Sequence, residues 1–178
     1  MHVNARKIAL SGVLAAFAVV MVVLGSVFET STLFLLAAAA FCVGIAVREW
    51  GIPYGAAFLA ACTLLGAIVS PQKLYCVTFA AMGIYILLAE TGWEILGKAG
   101  RIRKKKIALW VWKYVVFNLM FLPALSFFPS LLIAKKMTGT LFLVMAAAGQ
   151  AGLFIFDRAY VYFQAEIWGR LRGKVMRN

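Results

Sequence analysis

Long apolar runs separated by short polar connections repeat along the whole chain. Six such runs cover residues 8–28, 32–47, 52–69, 74–90, 107–128 and 139–163. A transmembrane helix needs roughly 20 predominantly apolar residues to cross about 30 Å of hydrocarbon. The pattern therefore predicts an all-α integral membrane protein, in which six transmembrane helices form one bundle and one transmembrane domain over residues 1–178.

Polar residues at the ends of the runs refine these boundaries. Pro53 stands in the first turn of the third run, where a helix tolerates proline. Glu94 and Lys98 form a favourable i,i+4 pair, so we expect the fourth helix to continue beyond residue 90. Arg6 and Lys7 precede the first run as in a signal peptide. No convincing cleavage pattern follows, which predicts a helix that is retained.

Composition supports the membrane assignment. Hydrophobic residues make up 65% of the chain, charged residues 13%, and the mean hydropathy is +0.95. Soluble chains are usually about half apolar and a quarter charged. The excess apolar surface must face lipid, and six short-looped spans leave no room for a soluble domain of useful size.

The basic residues are distributed unequally between the predicted connections. One side holds fourteen lysines and arginines, the other holds only Lys73, Lys135 and Lys136, and Lys113 lies inside the fifth span. Positive charge in short loops resists translocation, so both termini are predicted to be cytoplasmic in a multi-pass protein of the cell membrane. The net charge of +12 then faces the anionic lipids of the inner leaflet. A nucleic-acid site is not expected, because no segment outside the membrane offers the aromatic or helical elements that would contact bases.

Residues with catalytic chemistry are scarce. The only histidine is His2, and Cys42, Cys62 and Cys76 stand singly inside apolar runs. No spacing typical of a metal or redox motif occurs, so we expect no catalytic residue, no metal site and no cofactor. The acidic residues lie at or near predicted span ends, where Glu90 and Glu94 are expected to neutralise nearby basic residues.

Two amides lie near the middle of their spans. Asn118 is about eleven residues into the fifth span, and Gln150 is about twelve into the sixth. An amide without a partner in hydrocarbon is costly, so we expect both to hydrogen-bond to neighbouring helices. Contact with a bound solute is the alternative for this pair.

Small residues form a stripe on the first helix. Ala5, Ala9, Gly12 and Ala16 recur at helical spacing, and Ser11 and Ala15 widen that face. Such a face lets another membrane helix approach closely. Ala56, Ala60, Thr63 and Ala67 repeat the spacing on the third helix, where ordinary packing inside the bundle explains it. On the first helix the stripe is also a candidate surface for a partner.

The topology and the segment from Arg6 to Ala16 together resemble the substrate-binding S components of energy-coupling factor (ECF) importers. The resemblance implies that Ala9, Gly12, Ala15 and Ala16 contact a transmembrane coupling protein driven by cytosolic ATPases. It also implies a pocket for a small-molecule ligand, such as a vitamin or other micronutrient, at the outer helix ends. The residues available there are Glu29, Thr30, Thr32, Gln72, Lys73, Tyr75, Lys135 and Lys136.

Two other classes of function stay open. A membrane scaffold or assembly subunit without transport activity would also lack catalytic chemistry. A membrane-embedded enzyme would need converging polar residues, and the densest group is Glu90, Glu94, Asp157 and Arg158 at the inner side. If a solute binds at the outer side, Lys73, Lys135 and Lys136 favour an anionic ligand. If no solute binds there, these lysines lie at the level of the lipid headgroups.

Overall fold

The computed structural model describes residues 5–98, 105–127 and 139–175, and every regular element in these ranges is helical. The helices are α1 (Ala5–Val27), α2 (Thr32–Trp50), α3 (Ile52–Val69), α4 (Lys73–Lys98), α5 (Lys105–Phe127), α6 (Gly139–Tyr162) and α7 (Gly169–Val175). Six helices in the described ranges are long and apolar enough to cross a membrane. The predicted number of candidate spans is confirmed.

The helix ends follow the sequence signals at most positions. The third helix has its predicted bounds, and α4 continues to Lys98, as the Glu94–Lys98 spacing indicated. The sixth α-helix ends at Tyr162, one residue before its predicted end, but helical structure continues beyond it. A π-helical segment, Phe163–Trp168, joins α6 to α7, and the flanking Tyr162 and Gly169 both keep right-handed helical dihedral angles.

The chain divides into two compact units, residues 1–100 and 101–178. In the first unit α2 is the central helix, and it contacts α1, α3 and α4. Its interior positions carry mostly small or β-branched side chains, so that Ala39, Ala40, Val43 and Ala46 are fully buried. Small side chains allow neighbouring helices to approach closely, which explains how one helix accommodates three neighbours.

A one-residue turn joins α2 to α3. Gly51 has a φ of 93°, a conformation that favours glycine, and its N–H donates to the carbonyl of Val47 at 2.8 Å. Pro53 then lies in the first turn of α3. A Cβ on Gly55 would overlap the side chain of Val47, so this glycine lets α3 pack directly against the last turns of α2.

In the second unit α5 and α6 run antiparallel. Lys113 pairs with Asp157 and Asn118 pairs with Gln150, so residue numbers rise along one helix as they fall along the other. A Cβ on Gly149 would meet the ring of Phe121, which marks another close approach of the two helices.

Large apolar side chains cover much of the surface of both units. Phe34 is 76% exposed, Ile68 78%, and Leu119 74%. Such extensive apolar exposure is unfavourable in water, whereas lipid solvates it. The exposed surface therefore agrees with the hydropathy of the six candidate spans.

Candidate functional site

The small-residue stripe lies on an exposed face of α1. Ala5, Ala9, Gly12 and Ala16 are all exposed, and Ala15 is half-buried. A Cβ built on Gly12 would have no described heavy atom of a neighbouring element within 4 Å. The structure therefore leaves room beside this face.

The opposite face of α1 packs against the rest of its unit. Ala18 and Val22 are fully buried, and a Cβ on Gly25 would lie 3.5 Å from a methyl carbon of Leu36 on α2. One side of α1 therefore makes the internal contacts, while the stripe points away from them.

The corresponding stripe on α3 is arranged differently from the prediction. Ala56 and Ala60 are exposed, whereas Phe58 and Leu59 are buried. The expectation that this stripe packs inside the bundle is therefore wrong for the two alanines. The larger side chains turn inward because Leu59 fits against Gly83 of α4, where a Cβ would overlap it.

Two residues predicted for the outer pocket bind backbone carbonyls instead. The buried hydroxyl of Thr32 lies 2.8 Å from the carbonyl oxygen of Gly25 and 3.1 Å from that of Phe28. The ammonium group of Lys73 donates to the carbonyls of Ala67 and Ser70, at the end of α3. A basic side chain at this position stabilises a helix C-terminus.

The other predicted pocket residues are placed only in part. Gln72 is exposed and Tyr75 is half-buried, and the Tyr75 N–H donates to the Gln72 carbonyl at 3.3 Å. Glu29 begins a single 3₁₀ turn between α1 and α2. Lys135 and Lys136 lie outside the described residues. None of these predicted pocket residues is among the described residues that line the cavity along α5 or the cavity beside Arg48 and Glu90.

The structure brings the two midspan amides together. The Gln150 side-chain N–H donates to the Asn118 side-chain oxygen at 2.7 Å, and the Asn118 amide donates to the Tyr114 carbonyl at 2.8 Å. The predicted interhelical hydrogen bond is confirmed. The side-chain oxygen of Gln150 is buried without a hydrogen-bond partner among the described residues.

An ion pair lies two helical turns from the amide pair. Lys113 Nζ is 2.6 Å from Asp157 Oδ1, and the two side chains are 17% and 4% exposed. Asp157 is buried in the second unit rather than exposed at a helix end, since the helical segment continues past it. A buried charge is costly, and Lys113 neutralises this one at hydrogen-bond distance.

Gln164 is a second side-chain amide with buried atoms that lack a hydrogen-bond partner among the described residues. The residue is 4% exposed, and neither its amide nitrogen nor its amide oxygen has a hydrogen-bond partner in the described part of the chain. It lies in the π-helical segment, a local geometry that occurs often at functional sites. Gln150 and Asp157 are seven residues apart, which places them on one side of α6.

A groove of about 470 Å³ runs along α5. Its described lining residues share one helical face and are Ile107, Trp110, Val111, Tyr114, Val115 and Asn118. The lining is almost entirely apolar. A second cavity of about 190 Å³ lies in the first unit, where α2 meets α3 and α4; it includes Arg48, Glu90, Trp93 and Glu94.

The charges considered for an enzyme are engaged within their own units. Glu90 accepts two hydrogen bonds from the Arg48 guanidinium, at 2.9 and 2.6 Å, which agrees with the expected neutralising role. Asp157 pairs with Lys113, and Arg158 stacks over the ring of Phe154. Among residues 5–98, 105–127 and 139–175, no group of three His, Cys, Asp or Glu side chains could hold a metal ion.

Comparison with protein-family models, with curated proteins and with solved structures found no match to this chain.

Sequence reasoning overlooked the Lys113–Asp157 pair, although a signal was present. If Asn118 and Gln150 meet across antiparallel helices, a residue five positions earlier on one helix faces a residue about five to seven positions later on the other. That register joins Lys113 to Asp157. Gln164 had no comparable signal, because a π-helical turn alters the direction of the side chains that follow.

Proposed function

We propose that this chain is a multi-pass membrane subunit that binds a partner helix through α1 and acts as the substrate-binding, S-component-like subunit of an ECF-type importer. The observation that carries the proposal is the exposed face formed by Ala9, Gly12 and Ala16. Membrane helices associate through close packing of small residues rather than through a hydrophobic driving force. A partner helix can approach this face without displacing the contacts that hold α1 in its own unit.

The partners follow from the same resemblance. The α1 face would contact a transmembrane coupling protein, and cytosolic ATPases would supply the energy. Both termini would be cytoplasmic, as the distribution of fourteen against three basic residues predicts, and the basic loops would lie against anionic lipid of the inner leaflet.

Solute binding would occur at the opposite, outer side. Thr32 and Lys73 already bind backbone carbonyls, so the groups of the first unit proposed to contact a solute are Gln72 and Tyr75 together with Glu29. Lys135 and Lys136, which lie outside the described residues, remain candidates from the sequence alone. Lysines favour an anionic or carboxylate-bearing small molecule, because a hydrogen bond to a charged group contributes about 1.5 to 3 kcal/mol.

A membrane scaffold or assembly subunit is the second candidate. The observation that favours it is the engagement of Thr32 and Lys73 by the backbone, since two of the expected ligand contacts then stabilise helix ends. This candidate uses the same α1 face, but its partners would belong to a complex without transport activity.

Affinity purification from native membranes, followed by mass spectrometry of bound proteins and extracted small molecules, separates the two candidates. An importer subunit is expected to retain a transmembrane protein, cytosolic ATPases and a small molecule. Recovery of a stable complex that contains no ATPase and no solute would contradict the importer and support the scaffold.

A further inference from the structure

The length of the groove along α5 matches the thickness of one leaflet of a bilayer's hydrocarbon core. From Ile107 to Asn118 it follows one face of the helix for eleven residues, which at 1.5 Å per residue is about 16 Å. The hydrocarbon core of a bilayer is about 30 Å thick, so one leaflet is about half of that. Ile107, Val111 and Val115 are each more than half exposed along this path.

Cations stand at the entrance of the groove. Lys106 is exposed in the first turn of α5, directly before Ile107. Arg158 on α6 is held near the same end by aromatic stacking. Its guanidinium lies 5.7 Å from the centre of the Phe154 ring, which stacks on the Trp110 ring of the groove wall at 5.9 Å.

The end of the groove at Asn118 has few free hydrogen-bonding groups for a polar occupant. The Asn118 amide already accepts a hydrogen bond from Gln150 and donates one to the Tyr114 carbonyl. An extended peptide in this groove would leave its own N–H and C=O groups without partners, which apolar surroundings strongly disfavour. A hydrocarbon chain has no such groups.

We propose that this groove binds one acyl chain of an anionic phospholipid, with the headgroup phosphate held by Lys106 and Arg158. The lipid would come from the leaflet that contacts the basic loop. The apolar lining accommodates the chain, and the two cations at the entrance complement the charge of the headgroup. The Arg158–Phe154–Trp110 stack links the phosphate-binding group to the wall that contacts the acyl chain.

Native mass spectrometry of the purified full chain in detergent tests this site. The probes are phosphatidylglycerol and phosphatidylcholine with identical acyl chains, added separately and in competition. We expect one phosphatidylglycerol to be retained in preference to phosphatidylcholine. The double variant Lys106→Ala/Arg158→Ala should weaken retention of phosphatidylglycerol by about 30-fold, since each basic residue near an anionic lipid contributes on the order of 1 kcal/mol.

A second variant tests the acyl-chain contact. Val111→Trp should fill the groove and reduce retention of both lipids. Leu143→Trp, at an apolar residue of α6 with 69% exposure, is the matched control and should bind like the parent. Arg170→Ala/Arg172→Ala is the matched control for the loss of two charges, and it should keep the preference for phosphatidylglycerol.

Three results would overturn the proposal. The parent could retain the two lipids equally, both control variants could lose lipid as strongly as the groove variants, or excess glycerol 3-phosphate could displace the bound lipid. The last result would identify a site for a free phosphate instead. A size-exclusion profile like that of the parent confirms that a variant which loses lipid is still folded.

Discussion

The ammonium group of Lys113 lies 2.6 Å from a carboxylate oxygen of Asp157, between two helices that are each apolar enough to cross a membrane. Ion pairs at such positions are rare because both charges lose their hydration. The pair is therefore a specific connection between α5 and α6, and it fixes their register together with the hydrogen bond from Gln150 to Asn118.

Removing one partner of this ion pair should destabilise the second unit strongly. We expect Lys113→Met or Asp157→Leu alone to lower the free energy of unfolding by about 3 to 5 kcal/mol, because the remaining charge is buried and unpaired. The double variant should be much closer to the parent. Unfolding of the purified protein in mixed micelles measures all three. Additive losses in the double variant would show that the charges do not interact.

The amide pair should contribute less than the ion pair. Interhelical hydrogen bonds in membranes average about 0.6 kcal/mol, with a maximum near 1.7. A double-mutant cycle with Asn118→Leu and Gln150→Leu should therefore give a coupling energy in this range, from the same unfolding measurement. A coupling energy of zero would mean that the hydrogen bond does not form in the membrane.

Two glycines should respond oppositely to the same substitution. Gly55→Ala places a methyl group against the side chain and backbone of Val47, so a loss of about 1 to 3 kcal/mol is expected from overpacking. Gly12→Ala meets no neighbouring element and should leave stability unchanged or raise it slightly. The thermal unfolding midpoints of the two variants test the prediction, and equal midpoints would contradict the close contact between α2 and α3.

The orientation can be tested by labelling introduced cysteines in intact cells. Ser31→Cys and Gln72→Cys lie at exposed positions between helices and should react with a membrane-impermeant reagent added outside. Arg172→Cys, also exposed, should react only after the cells are opened. The parent is the background control, since Cys42, Cys62 and Cys76 are buried. External labelling at position 172 would reverse the predicted topology.

Hydropathy was sufficient to predict the helices, because a span of given length and composition needs no knowledge of its neighbours. The bounds of α3 were predicted to the residue, and the extension of α4 followed from Glu94 and Lys98. The continuation of the sixth helix through Trp168 was not predicted. It depends on a π-helical segment that buries Gln164 and Trp168, and no periodic pattern in the sequence indicates it.

Candidate site residues were harder to predict, because a polar side chain can bind either a solute or its own backbone. Asn118 and Gln150 were expected to hydrogen-bond to neighbouring helices, and the structure confirms this, although their pairing with each other was not predicted. Thr32 and Lys73 were placed correctly at helix ends, but their hydrogen bonds go to carbonyls seven and three to six residues away in sequence. Hydropathy gives depth in the membrane, and it does not give the direction of a side chain.

The central claim is that the exposed small-residue face of α1 binds a partner helix. The most direct test measures how much partner protein co-purifies with each of four Leu variants. Gly12→Leu and Ala16→Leu should each reduce retained partner by about tenfold or more, which corresponds to a loss of 1.4 kcal/mol or more. Ala60→Leu on the exposed side of α3 and Val13→Leu beside the stripe should retain partner like the parent. All four should elute from size exclusion as folded protein. Full retention by Gly12→Leu and Ala16→Leu, or a loss confined to Ala60→Leu, would contradict the account.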